Sequence, residues 1–92
     1  DSTIAPQSLY LMNSPLVLRA TESIAKALLK EDELNNAQRV QRLYAQVFNR
    51  PPTVKETQRA MVFINNFSQD RLASWQALSQ ALVSSNEFLY LK

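Results

Sequence analysis

The sequence predicts an all-α domain, a compact bundle of four main helices preceded by a short N-terminal helix. Apolar residues recur at i, i+3, i+4 and i+7, alternation of the strand type is missing, and prolines and capping residues punctuate the chain at intervals suited to short helices. Ninety-two residues make a single helical domain over 1–92, and a chain of this length buries roughly 60% of the surface its unfolded form exposes. With 46% apolar and 20% charged residues, the composition is that of a folded globule rather than a disordered tail.

Each element has a local cause. Pro6 suits the first turn of a short helix running to about Met12, because its missing N–H would be unpaired there anyway. Ser14 as N-cap and Pro15 as first helical residue restart the chain, and Leu16, Val17, Ala20, Ile24, Ala27 and Leu28 form an apolar stripe. The next helix runs from about Ala37 to Phe48, with Val40, Leu43, Tyr44, Val47 and Phe48 on its buried face and Gln38, Arg39, Gln41 and Arg42 on the other. Asn49 is the natural left-handed C-cap in a chain without glycine, and Asn35, Asn36, Asn65 and Asn66 are candidates for the same task.

Pro51 and Pro52 stop that helix. Thr53 and Glu56 then form a capping box, which sets a third helix over Val54 to Phe67 with Ala60, Ile64 and Phe67 inward and Met61 beside them. A fourth starts near Asp70 or Ala73 and carries Trp75, Leu78, Ala81 and Leu82 on one stripe. Connections of 4 to 8 residues imply antiparallel or steeply crossed neighbours. The aromatics Tyr44, Phe48, Phe63, Phe67, Trp75 and Phe88 read as core, whereas Tyr10, Leu11, Phe88, Tyr90 and Leu91 near the ends hold more apolar surface than four short helices absorb, a feature of an interface.

The residue types that are missing limit the chemistry. There is no glycine, and so no phosphate-cradling loop of the P-loop or dinucleotide kind. Histidine is absent, which removes the usual general base and the imidazole ligands of zinc and haem. Zero cysteine excludes disulfides, thiol chemistry and thiolate metal sites. Ser23-Ile24-Ala25-Lys26 is the chain's S-x-x-K spacing, and it falls on a helical pattern with no oxyanion donors in view. Glu31, Asp32 and Glu33 are consecutive but lack the turn geometry and further oxygen ligands of a calcium loop, so they read as a solvated connection. No catalytic residue, metal ligand or cofactor is therefore assigned.

Ten basic against eight acidic side chains leave +2, too little to argue for nucleic acid. No apolar run approaches the ~20 residues of a membrane span. The chain opens on Asp1 with no Met-led signal or transit segment, which reads as a piece cut from a longer chain.

Three blocks, "STIAPQSLYLMNSPLVL", "RVQRLYAQVFNRPPTVKE" and "WQALSQALVSSNEFLYLK", lie in the order found in the planctomycete-specific C-terminal domain of unknown function, which this chain resembles from Ser2 to Lys92. The resemblance implies a domain that closes large exported proteins, often ones that also carry cytochrome-c-like haem domains, and hence an extracytoplasmic setting in the periplasm or cell envelope. No haem ligation transfers to a chain without Cys or His. "RLYAQVFNRPPT" and "SSNEF" also resemble, over under half the chain, helical domains of the phycobilisome-linker type, which are assembly modules.

Both resemblances pair an arginine after the second helix with a glutamate near the end, here Arg50 and Glu87. Neither has an i,i+4 partner of opposite charge. The expectation is that they reach one another, or nearby backbone groups, and fasten the last helix end to the corner; the alternative is Arg50 as an anion site in a ligand pocket.

The leading functional expectation is a non-catalytic helical docking domain whose partner is an upstream domain of its own polypeptide or another envelope protein, with no nucleic acid and no membrane insertion. A second is an accessory module that completes a ligand or carbohydrate site with upstream domains, for which Tyr10, Tyr90 or Trp75 would supply the aromatic platform. A third is nucleic-acid binding through Arg39, Arg42, Arg59 and Arg71.

Overall fold

A computed structural model of the chain describes residues 13–85, which form four helices and no strand. They are α1 (Pro15–Lys30), α2 (Asn36–Phe48), α3 (Val54–Phe67) and α4 (Arg71–Val83). The lead-in helix expected over residues 6–12 lies outside the described residues.

Helix α1 starts as anticipated, with Pro15 in its first turn and the Ser14 hydroxyl accepting from the Leu16 amide at 3.2 Å. Its buried face is Val17, Thr21, Ala25 and Leu28, rotated roughly a quarter turn from the expected stripe at 100° per residue. Leu16 is 68% exposed, and Ala20 and Ala27 are also at the surface. Counting only apolar residues missed Thr21. It is fully buried because its hydroxyl donates to the Val17 carbonyl at 2.7 Å, and it leaves a small contour, with Ala25, along the buried face.

The stripe of α2 is as expected: Val40, Leu43, Tyr44, Val47 and Phe48 are all buried. Asn35 is the N-cap of this helix rather than a left-handed C-cap. Its side chain accepts from the Gln38 amide at 2.8 Å while the Gln38 carboxamide accepts from the Asn35 amide at 2.9 Å, a reciprocal box that satisfies two open donors. Among the described residues Asn49 alone has positive φ, at 57°, and it closes α2 in the left-handed conformation. Asn65 and Asn66 sit inside α3, which ends at the Ser68 cap.

Helix α3 has the expected bounds, with Ala60 and Ile64 buried and Met61 packed on the core. Phe67 is not inward. At 53% exposure it stands at the last residue of α3 and stacks on Phe63, centroids 4.9 Å apart. Helix α4 is capped by Asp70, whose carboxylate accepts from the Leu72 and Ala73 amides, after a connection over 68–70 that is shorter than anticipated.

Helix α4 packs against all three other helices, most extensively against α1. Trp75 is fully buried and Leu78 nearly so, but Ala81 is exposed, and Ser74 and Ser79 are buried in its place. Each buried serine donates to a carbonyl, Ser74 to Ser68 at 3.1 Å and Ser79 to Trp75 at 2.7 Å, which lets a small polar side chain face a neighbouring helix.

Candidate functional site

Arg50 sits between the left-handed Asn49 and the Pro51-Pro52 pair, so the chain leaves α2, reverses, and enters α3 within five residues. The guanidinium grips Glu56 with two parallel hydrogen bonds, Nη1 to Oε1 and Nη2 to Oε2, both 2.9 Å. Nη1 also donates to the Pro51 carbonyl at 2.9 Å. Its Cζ lies 5.6 Å from the Tyr44 ring centroid and 5.3 Å from that of Phe48, so the last turn of α2 supplies an aromatic bed for the cation.

Glu56 does double duty. Its Oε1 accepts from the Thr53 amide at 2.8 Å, while its own amide donates to the Thr53 hydroxyl at 3.1 Å, the capping box legible in the sequence. The Arg50 guanidinium beside it holds the Glu56 carboxyl at about 2, against an ordinary 4.5; partial burial opposes this and the Thr53 amide reinforces it. Arg50 thereby ties the C-terminus of α2 to the N-terminal cap of α3. Two of its N–H groups are directed at a carboxylate of the same chain, which favours a fastener over an anion site. Glu87, the expected partner, lies outside the described residues.

A second arginine does the corresponding work at the α1–α2 corner, although helical periodicity places it off the apolar stripe of α2. Arg39 is 4% exposed. Its Nε donates to the Leu28 carbonyl at 3.0 Å, Nη2 to the Glu31 carbonyl at 3.0 Å and Nη1 to Asn36 Oδ1 at 3.1 Å. The physical reason is the missing glycine. Helix α1 ends at Glu31 with an extended backbone rather than a left-handed cap, which leaves last-turn carbonyls open, and a long cation from the next helix satisfies them. That shortage of C-cap residues was the available signal.

Beside this corner Arg42 Nη1 bridges both Glu31 carboxylate oxygens at 3.0 and 2.8 Å, on the surface. The pair borders a shallow groove of about 370 Å³ lined by Ala27, Leu28, Glu31, Arg42, Ala45 and Gln46. Of the four arginines considered for nucleic acid, Arg39 and Arg42 are thus engaged at the end of α1, while Arg59 and Arg71 are exposed. Lys26, of the S-x-x-K spacing, reaches Glu22 at 3.4 Å.

Trp75 is fully buried, so it offers no surface platform to a sugar; Tyr10 and Tyr90 lie outside the described residues. Its Nε1 has no partner among the described residues, nor has the buried Ser84 hydroxyl. No group of three or more carboxylates converges among the described residues in the manner of a metal site, and no helix there is long and apolar enough to cross a membrane.

No curated protein and no solved structure matches the chain. The model of a protein family of unknown function, PSD1 (DUF1553), matches residues 1–64, which take in α1, α2 and most of α3 with both arginine-bound corners. That match spans more than half of the sequence, and the chain belongs to the PSD1 family of proteins of unknown function.

Proposed function

We propose that this chain is a non-catalytic helical docking domain that packs on other domains of a longer exported polypeptide, or on a separate envelope protein. One observation carries the reading: the strongest polar groups hold the fold together while large apolar side chains stand at the surface. Arg39, Arg50 and Glu56 bind helix ends, and Leu16, Val54, Val62 and Phe67 are 53–74% exposed. The extracytoplasmic setting rests on the resemblance of the sequence blocks.

The test is the affinity of the purified domain for the remainder of its parent polypeptide, produced separately, at physiological salt. Tight binding supports an intramolecular clasp; no binding removes that arm and directs the search to an envelope partner. The shallow groove beside Glu31 and Arg42 supports a second reading, an accessory module that completes a ligand or carbohydrate site with upstream domains. A glycan titration that shifts resonances of Ala27, Ala45 and Gln46 would favour it.

A further inference from the structure

The outward line of α3 carries side chains exposed to solvent. Lys55, Arg59, Val62 and Asn66 follow one another at i, i+4, i+7 and i+11, so they share a face opposite the buried Ala60 and Ile64. Phe63 and Phe67 lie on one side of this line, between it and the buried face. Phe63 packs on the core, and its stacked contact with Phe67 holds the more exposed ring in place, so binding would cost little side-chain entropy.

The strip has one sign of charge. Glu56, the acid of α3, is turned to Arg50, and Asp70 in the following connection is held by the α4 amides. Among the described residues neither Lys55 nor Arg59 makes an ion pair.

We infer that this α3 strip is the docking surface, and that its occupant is an acidic polypeptide segment with apolar residues at helical spacing. The inference rests on the docking function proposed above and adds its location and the chemistry of its partner. Carboxylates of the occupant pair with Lys55 and Arg59 at one end; its apolar side chains cover Phe67 at the other, on the Phe63 side of the strip. The twelve steps from Lys55 to Phe67 extend roughly 18 Å, the length of about three helical turns. Two cations are fewer than the clusters of about 4–8 that anionic lipid headgroups attract, which favours a polypeptide over a membrane.

The probe is a synthetic acidic amphipathic peptide of about 15 residues, with Leu at i, i+3 and i+4 and Glu beside them, titrated into the full 92-residue chain. Binding is expected to weaken roughly tenfold in Arg59→Glu and in Phe67→Ser, to be unchanged in Leu16→Ser, and to be lost when Lys replaces Glu in the peptide. Melting curves check that the variants fold. Equal affinity across the variants, or no binding, overturns the inference; uptake by phosphatidylserine vesicles without peptide binding assigns the strip to lipid instead. The same variants are then titrated with the remainder of the parent polypeptide. Binding that survives both substitutions sinks the α3 strip and leaves the docking function standing, whereas failure of the unsubstituted chain to bind that remainder, with peptide binding intact, sinks the intramolecular clasp and keeps the strip.

Discussion

Arg50 and Glu56 face each other through two parallel 2.9 Å hydrogen bonds across a turn containing two prolines, with 33% and 25% of their side-chain surfaces left exposed. The pair joins two helix ends that are each already capped, by Asn49 and by Thr53. The pair thus links the end of α2 to the start of α3.

Stability should fall in acid through Glu56. Its folded-state carboxyl titrates at about 2 against an ordinary 4.5, so the contribution is complete above about 4.5 and declines as pH falls toward 2, where the folded form also takes up the proton. The shift corresponds to roughly 3 kcal/mol at most, and solvent screening at a partly exposed pair reduces it to about 1–2 kcal/mol. Denaturant unfolding between pH 5 and pH 2 measures this, and Glu56→Gln should flatten the curve across that window.

Arg39→Ala should destabilise by about 2–4 kcal/mol, because it strands the Leu28 and Glu31 carbonyls at a buried corner. Arg42→Ala, which breaks an exposed pair with Glu31, should cost under about 1 kcal/mol. Urea midpoints of the two variants separate these roles; equal losses would mean that Arg39 has no special place.

Asn49→Ala should cost about 1 kcal/mol and Asn49→Gly close to nothing, since the residue sits at φ 57° and ψ 36°, where a Cβ is unfavourable and glycine has none. Thermal melts of both variants check the order.

Trp75 fluorescence should resist a neutral soluble quencher, and added glycan should leave it unchanged, because the indole is fully buried. Trp75→Ala should cost about 3–5 kcal/mol by opening a core cavity. Strong quenching would place the ring at the surface and revive a carbohydrate platform.

What the sequence made legible was local. The Thr53–Glu56 box, the Asn49 cap and the α2 stripe depend on residues within one or two turns, and all three appear as read. The phase of α1 did not, because Thr21 and Ala25 are buried where a neighbouring helix covers them, and an apolar count gives neither residue that weight. Arg39 was missed for a related reason: its partners are carbonyls of the preceding helix, 8 and 11 residues away. Glu56 was recognised as a cap and not as a partner of Arg50, since the six-residue spacing crosses a helix boundary where i,i+4 reasoning does not apply. Phe67 shows the converse, an aromatic read as core that the end of its helix carries outward.

The central claim is that Arg50 is a fastener of the fold. The most direct test is a double-mutant cycle of Arg50→Ala and Glu56→Gln by thermal and urea unfolding, with Gln retained at 56 because it can still cap Thr53. A coupling of about 1–3 kcal/mol between the two sites is the predicted result. Additive losses, with melting of the native chain raised by sulfate or phosphate and that increase abolished in Arg50→Ala, would contradict the claim and make Arg50 an anion site.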